Sequence, residues 1–259
     1  MLLLNLPADQ FQLFLFVLVR VGAILFTIPF LDARNVPMII KASLAMAVAV
    51  MIMPRLDVAA PNVLGNPFAL ILGLVSEAAV GWTISLSIQL LFAGVQLAGQ
   101  LAGFQMGFAI ANVVDPASSL QVPILSQFLN LLALMIFFSV NAHFYFIKAL
   151  IDAFDLIPPM SARLDGRLVS LIMAMAAKSF VIAVKVSAPV MVALLLTHVA
   201  LGLTARTVPQ MHIFIVAMPL QILLGLIFLS LSLPFISSFL EIAFKELGHN
   251  VTLMIRLFQ

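Results

Sequence analysis

Residues 168–204 read LVSLIMAMAAKSFVIAVKVSAPVMVALLLTHVALGLT, an apolar run of 37 residues interrupted by only two full charges, Lys178 and Lys185. As one straight α-helix this run would be about 55 Å long, against a hydrocarbon core of about 30 Å. Either it folds back near Lys185-Val186-Ser187-Ala188-Pro189, or it is a single long helix shielded by partner proteins instead of lipid. A second apolar run of 30 residues follows at 211–240, after a break at Arg206-Thr207-Val208-Pro209-Gln210. The C-terminal third, residues 168–259, is therefore expected to be a helical hairpin.

Composition agrees with a chain that lives in lipid. Of 259 residues, 64% are hydrophobic and only 8% charged, and the mean hydropathy is +1.25. A soluble domain carries about 45–50% apolar and about 25% charged residues, so this chain could not hide its apolar surface in one core. The net charge of +2 is too small to argue for nucleic acid. There is no cysteine, which removes disulfides, thiol catalysis and thiolate metal sites. The apolar N-terminus has no basic flank and no small-residue cleavage site, so it is expected to belong to the mature protein.

Further spans are expected at residues 11–31, 38–53, 68–92 and 124–147. The first stops at Pro29 and the polar link Asp32-Ala33-Arg34-Asn35; the second lies between Pro37 and Pro54. Residues 55–67, with Pro61, Pro67, Asn62, Gly65 and Asn66, read as a loop. Residues 148–167 read as a polar connection. Six conventional spans with a cytoplasmic N-terminus put Arg55, Lys148, Arg163, Arg167, Lys245 and Arg256 inside, and Arg34, Lys41 and Arg206 outside. That asymmetry favours a cytoplasmic C-terminus. The sequence shows no internal repeat and no low-complexity tract.

Arg20, Glu77, Lys178 and Lys185 interrupt apolar segments. Each costs about 2.5–3.5 kcal/mol at a helix centre, so four unpaired charges would cost roughly 10–14 kcal/mol. They are expected to face protein, water or one another. A proton relay is one use for such charges; paired interior charges or subunit contacts are the alternative.

Between the third and fourth spans lies an insert, residues 93–123, whose centre reads Gly-Phe-Gln-Met-Gly-Phe-Ala-Ile-Ala-Asn-Val-Val-Asp-Pro from Gly103 to Pro116. Lipid cannot satisfy irregular backbone, so a helix-breaking segment here must be buried in protein or line a cavity. Gly99, Gly103 and Gly107 recur every four residues and would form a smooth stripe on a helix, or supply freedom to a loop that moves. Gln89, Gln96, Gln100 and Gln105 add uncharged hydrogen-bonding groups. Phe104, Met106, Phe108 and Ile110 could make a deformable seal or an ordinary core. His143, His198, His212 and His249 have no metal-ligand spacing, and no nucleophile-base motif is present. Nothing here points to an enzyme.

These residues resemble the FliR family of the flagellar type III export gate, and the related T component of injectisomes, over nearly the whole chain. The resemblance is carried by Arg20, Pro29, Pro37, Lys41 and Pro54, then by Glu77 with Gly81. Most specific is Gly99-Gln100-Leu101-Ala102-Gly103-Phe104-Gln105-Met106-Gly107 continuing to Asp115-Pro116. Asn141-Ala142-His143, Pro158, Pro209-Gln210 and Pro219-Leu220 complete it. Ala142, His212 and Gln221 depart from the family pattern.

The resemblance implies an all-α membrane protein of kinked helices and helical hairpins, with a glycine-rich re-entrant plug loop at about 103–118. Residues 1–167 would be FliP-like and 168–259 FliQ-like, within one export-gate domain spanning 1–259. Gly103, Phe104, Gln105, Met106, Gly107, Phe108, Asp115 and Pro116 would form the plug. FliP and FliQ would be partners in a helical cone, with FlhB and FlhA nearby, in the bacterial inner membrane at the flagellar basal body. The cargo would be unfolded protein, moved without a cofactor or metal in this subunit. A secondary transporter of small solutes or ions with broken helices is the competing reading. It expects paired repeats and polar ligands, and the sequence has neither. A purely structural scaffold would let the insert be shortened without leakage.

Overall fold

The computed structural model describes residues 8–29, 36–56, 63, 65–108, 124–162, 165–207 and 213–258. Among the described residues the regular structure is helical, without strands. The helices are α1 (Ala8–Thr27), α2 (Met38–Ile52), α3 (Pro67–Gln105), α4 (Ile124–Ser139), α5 (His143–Leu156), α6 (Gly166–Thr207) and α7 (Ile213–Arg256), with a 3-10 turn at Met53–Arg55. Five of them are long and apolar enough to cross a bilayer, and α4 with α5 makes a sixth if that bent pair is one span.

Three expectations are corrected by this arrangement, and a fourth, left open between two alternatives, is decided. The third span and the first part of the insert are one helix, because α3 runs unbroken from Pro67 to Gln105. Its start is written in the residues that read as loop: Asn66 accepts the backbone N–H of Phe68 (3.2 Å) and Ala69 (3.3 Å), capping the helix ahead of a proline in its first turn. The span expected at 124–147 is broken instead at residues 140–142, where Asn141 takes φ +56°, a left-handed conformation that asparagine tolerates. The polar connection at 148–167 is helical as far as Leu156, since Phe146, Ala149, Leu150, Ala153 and Phe154 recur at helical spacing and are buried.

The fourth concerns residues 168–204, whose two alternatives are resolved: α6 is continuous through Pro189. At 42 and 44 residues, α6 and α7 are about 63 and 66 Å long, roughly twice the hydrocarbon thickness.

The chain divides into two compact units. One comprises residues 1–90, 141–175 and 244–259; the other comprises 91–140 and 176–243. In the first, the core is built from Phe16, Val17, Val21 and Ile24 of α1, Val80, Ile84 and Ile88 of α3, Phe154 of α5, and Phe244, Val251 and Met254 of α7. In the second, Val95 and Ala98 of α3 and Met106 just beyond it lie buried, as do Leu129, Ala133 and Phe137 of α4, and Ile182, Val186, Val190 and Leu194 of α6. Much apolar surface remains outside: Phe180, Val181, Val184, Leu195, Leu196, Leu223, Leu231 and Phe235 are all exposed.

Candidate functional site

The first unit is organised around a buried ion pair. Arg20 Nε donates to Glu77 Oε2 at 2.5 Å, with both side chains at 0% exposure. Arg20 Nη1 donates to the carbonyls of Ala153 (2.8 Å) and Ile157 (2.9 Å), closing the C-terminal end of α5. The guanidinium stands 4.4 Å from the centroid of the Phe154 ring. Glu77 Oε1 accepts the N–H of Met160 at 3.0 Å, which helps hold Met160 at φ +67°. Both carboxylate oxygens are thus occupied, and the pair ties α1, α3, α5 and the turn after α5 together. A planar guanidinium with several donors suits this task better than an ammonium.

The residues around the pair make room for it. A Cβ at Gly81 would lie 2.7 Å from the Arg20 carbonyl oxygen, and one at Gly73 would lie 2.7 Å from Phe16 Cε1. Gly73, Glu77 and Gly81 are spaced four apart, so they share one face of α3. Small residues on either side of Glu77 let α1 come close enough for the short contact. Glu77 with Gly81 is legible in the sequence as part of the family resemblance; the close approach of α1 that Gly73 and Gly81 permit is not.

In the second unit that series divides. Gly99 is helical, and a Cβ there would fall on the backbone of Ser126 in α4; Ser126 Oγ in turn donates to the Gln96 carbonyl at 2.8 Å. Close helix packing outweighs the propensity cost of glycine, about 1 kcal/mol. Gly107 lies beyond the helix at φ +85°. The N–H of Phe108 bonds to the Gly103 carbonyl and that of Gly107 to the Phe104 carbonyl, each at 3.1 Å. This pair of bonds around a left-handed glycine is a Schellman C-cap. Gly107 therefore stops α3 at a defined residue.

The expected plug residues do not share one environment. Met106 is fully buried, whereas Phe104, two residues earlier, is 58% exposed. Met106 fills a notch on α7: a Cβ at Gly225 would stand 2.6 Å from both its Cγ and its Cε. Gly225 was missed by sequence reading because an isolated glycine in an apolar helix carries no local signal. The expected stripe at Gly107 is not crowded, the nearest group to a Cβ there being Gln221 Oε1 at 3.8 Å; backbone conformation is the constraint. Asp115 and Pro116 lie outside the described residues.

Lys178 and Lys185 are both exposed on α6, and Lys185 Nζ lies 5.4 Å from the centroid of the Phe239 ring. The structure thus joins Arg20 to Glu77 and leaves the two lysines on the surface of their own unit. Among the described residues no group of three metal-ligating side chains converges.

These features define an all-α, multi-span membrane protein with a buried structural ion pair and a glycine-capped helix end leading into a segment free of basic residues. Residues 11–247 match the bacterial export proteins, family 1. The chain is 36% identical over 229 residues to the flagellar biosynthetic protein FliR of Bacillus subtilis, covering 87% of this chain and 88% of that protein. It is 33% identical over 236 residues to FliR of Escherichia coli K12, covering 91% and 90%. With FliR of Caulobacter vibrioides it shares 29% over 251 residues, covering 94% and 98%. The chain belongs to the bacterial export proteins, family 1, among its FliR members. It is a membrane-embedded component of the flagellar export apparatus.

Proposed function

We propose that this chain forms, together with FliP and FliQ subunits, the conduit through which unfolded flagellar subunits cross the bacterial inner membrane. The observation that carries the proposal is the end of α3. Gly107 terminates the helix and Met106 is anchored against Gly225, so the segment that follows starts from a fixed point. That segment has no Lys or Arg through Ser118. In this reading residues 103–118 are a closure element, with Met106 and Gly107 as its anchor, and Phe104, Gln105, Phe108, Asp115 and Pro116 available to the seal.

The remaining assignments follow from the same reading. The exposed apolar faces of α6 and α7 meet neighbouring FliP- and FliQ-type subunits, which would explain helices twice as long as the membrane is thick. Residues 1–167 act as the FliP-like part and 168–259 as the FliQ-like hairpin, with FlhA and FlhB as further neighbours. The subunit shapes and seals a path, and supplies no covalent chemistry.

Two experiments test the proposal. Deleting residues 109–118, which spares the C-cap, should give a gate that still assembles but makes the inner membrane leaky to small solutes; unchanged permeability in an assembled deletion gate would refute a closure role. Cysteines placed at Val181 and Val184 should crosslink to partner subunits, with no native cysteine to interfere. Labelling by lipid-phase probes at both positions, without any partner crosslink, would refute the assembly.

A further inference from the structure

Residues 213–240 of α7 contain no Asp, Glu, Lys or Arg, and Gln221 is their one carboxamide. Taking such a group out of water costs free energy unless it finds a hydrogen-bond partner. Serines of the same stretch find one within the helix: Ser232 Oγ donates to the Leu229 carbonyl at 2.8 Å, and Ser238 Oγ to the Pro234 carbonyl at 3.0 Å. The longer glutamine side chain reaches outward instead. Gln221 is half-buried, and its Oε1 lies 3.8 Å from where a Cβ of Gly107 would stand.

That place is the carbonyl end of α3. The C-cap engages the carbonyls of Gly103 and Phe104, and leaves those of Gln105 and Met106 without a partner inside the helix. The same end carries the negative pole of the helix dipole. Gln221 and Gly225 are four residues apart and share a face of α7, so the notch that takes Met106 and the carboxamide beside Gly107 are neighbours. The first unit shows the same chemistry completed: Gln89 Nε2 of α3 donates to the carbonyl of Thr27, the last residue of α1, at 2.9 Å.

We propose that Gln221 is a positioning residue for the closure segment, its Nε2 donating to the free carbonyls at the end of α3. The proposal rests on the closure reading above. Gly225 fixes that end by shape and Gln221 by hydrogen bonding, so the segment leaves α3 in one direction. The site uses the donor of the carboxamide, since the N–H groups of Gly107 and Phe108 are already engaged in the cap.

The test reads resting ion conductance of assembled gates in the inner membrane, with thermal unfolding of each solubilised gate. Gln221→Glu keeps the shape and both acceptor positions, but removes the donor and sets a negative charge at a carbonyl end. It should raise the leak about fivefold, the contribution of roughly one hydrogen bond. Gln221→Leu, which lacks the donor without adding charge, should leak less than Gln221→Glu and more than wild type. Gln221→Lys keeps a donor and should stay as tight as wild type. Should Gln221→Glu fail to assemble, Gln221→Met carries the same comparison with Gln221→Lys. Tight Gln221→Glu and Gln221→Leu gates, beside a leaky gate lacking residues 109–118, would overturn this proposal and leave the closure reading standing. A deletion gate that does not leak would overturn both. In the leaky deletion gate Gln221→Glu should add nothing, because no segment is left to position; a further rise would make Gln221 part of the conduit wall and overturn its positioning role.

Discussion

Met106 occupies the volume that a side chain at Gly225 would need, with its Cγ and Cε each 2.6 Å from where a Cβ would stand. The fully buried methionine just past α3 and the glycine in the first third of α7 form one packing unit, although 119 positions separate them in the chain. Gly107 ends α3, and the Met106–Gly225 relationship holds that end in place.

Gly225→Ala should evict Met106 from its notch. Overpacking of this kind costs about 1–3 kcal/mol, so the solubilised gate should unfold at lower temperature and the membrane should become more conductive to ions. Met106→Ala combined with Gly225→Ala should recover part of the thermal loss. A Gly225→Ala gate with wild-type stability and conductance would mean the notch is not maintained.

Substitution at Gly107 should be governed by its backbone. A left-handed conformation costs most L-residues roughly 1–2 kcal/mol, and asparagine less. Gly107→Asn should therefore be milder than Gly107→Ala, and Gly107→Asp should be the worst, since it also sets a negative charge at the carbonyl end of a helix. Gly202→Ala should be harmless, because nothing lies within 4 Å of a Cβ there and helical glycine is replaced by a better helix former. Swimming motility and secreted hook protein report the order.

The Arg20–Glu77 pair should show the asymmetry of buried charges. Removing either partner alone, as in Arg20→Met or Glu77→Leu, should destabilise by about 3–5 kcal/mol. The double variant should lose less than the sum, because no orphaned charge remains. Arg20→Lys should rescue poorly, since an ammonium cannot reproduce the guanidinium's set of bonds to Glu77, Ala153 and Ile157. Thermal unfolding of the four proteins gives the coupling directly.

Asp165 should make the start of α6 sensitive to acid. Its carboxylate accepts the backbone N–H of Arg167 at 3.1 Å and its guanidinium Nε at 2.7 Å, and these bonds, the backbone one first, hold its pKa below the ordinary 3.8. A carboxyl with a depressed folded pKa stabilises fully above its unfolded pKa, and the contribution disappears as pH falls through the folded value. Protection of the amides in the first turn of α6, measured against their intrinsic exchange rate at each pH, should fall in the wild type as Asp165 is protonated in acid. Asp165→Ala should show the faster exchange at neutral pH and no further acid step.

How much of this was readable in advance varies by residue. The start of α2 after Pro37 and the interruption at Pro54 are evident from proline and hydropathy. The cap at Asn66 was present in the sequence as Asn-Pro and was read as loop, because turn residues and helix starts share the same chemistry. The helix over residues 93–105 was hidden by its glycines, which signal flexibility in isolation and close packing against a neighbour such as Ser126.

Sequence alone determined the all-α membrane class, the family and the identity of the four charges that interrupt apolar segments. Those properties depend on composition and local periodicity, which are additive along the chain. Tertiary structure decided that Arg20 meets Glu77, that α6 passes through Pro189 without folding back, that Gly107 caps α3, and that Met106 rests on Gly225. The Arg20–Glu77 and Met106–Gly225 contacts depend on which surfaces come within a few ångströms of one another across tens of residues, whereas the Gly107 cap lies within residues 103–108 and rests on backbone geometry. Hydrogen-bond geometry and close packing, which act only at such distances, leave no periodic trace in the sequence.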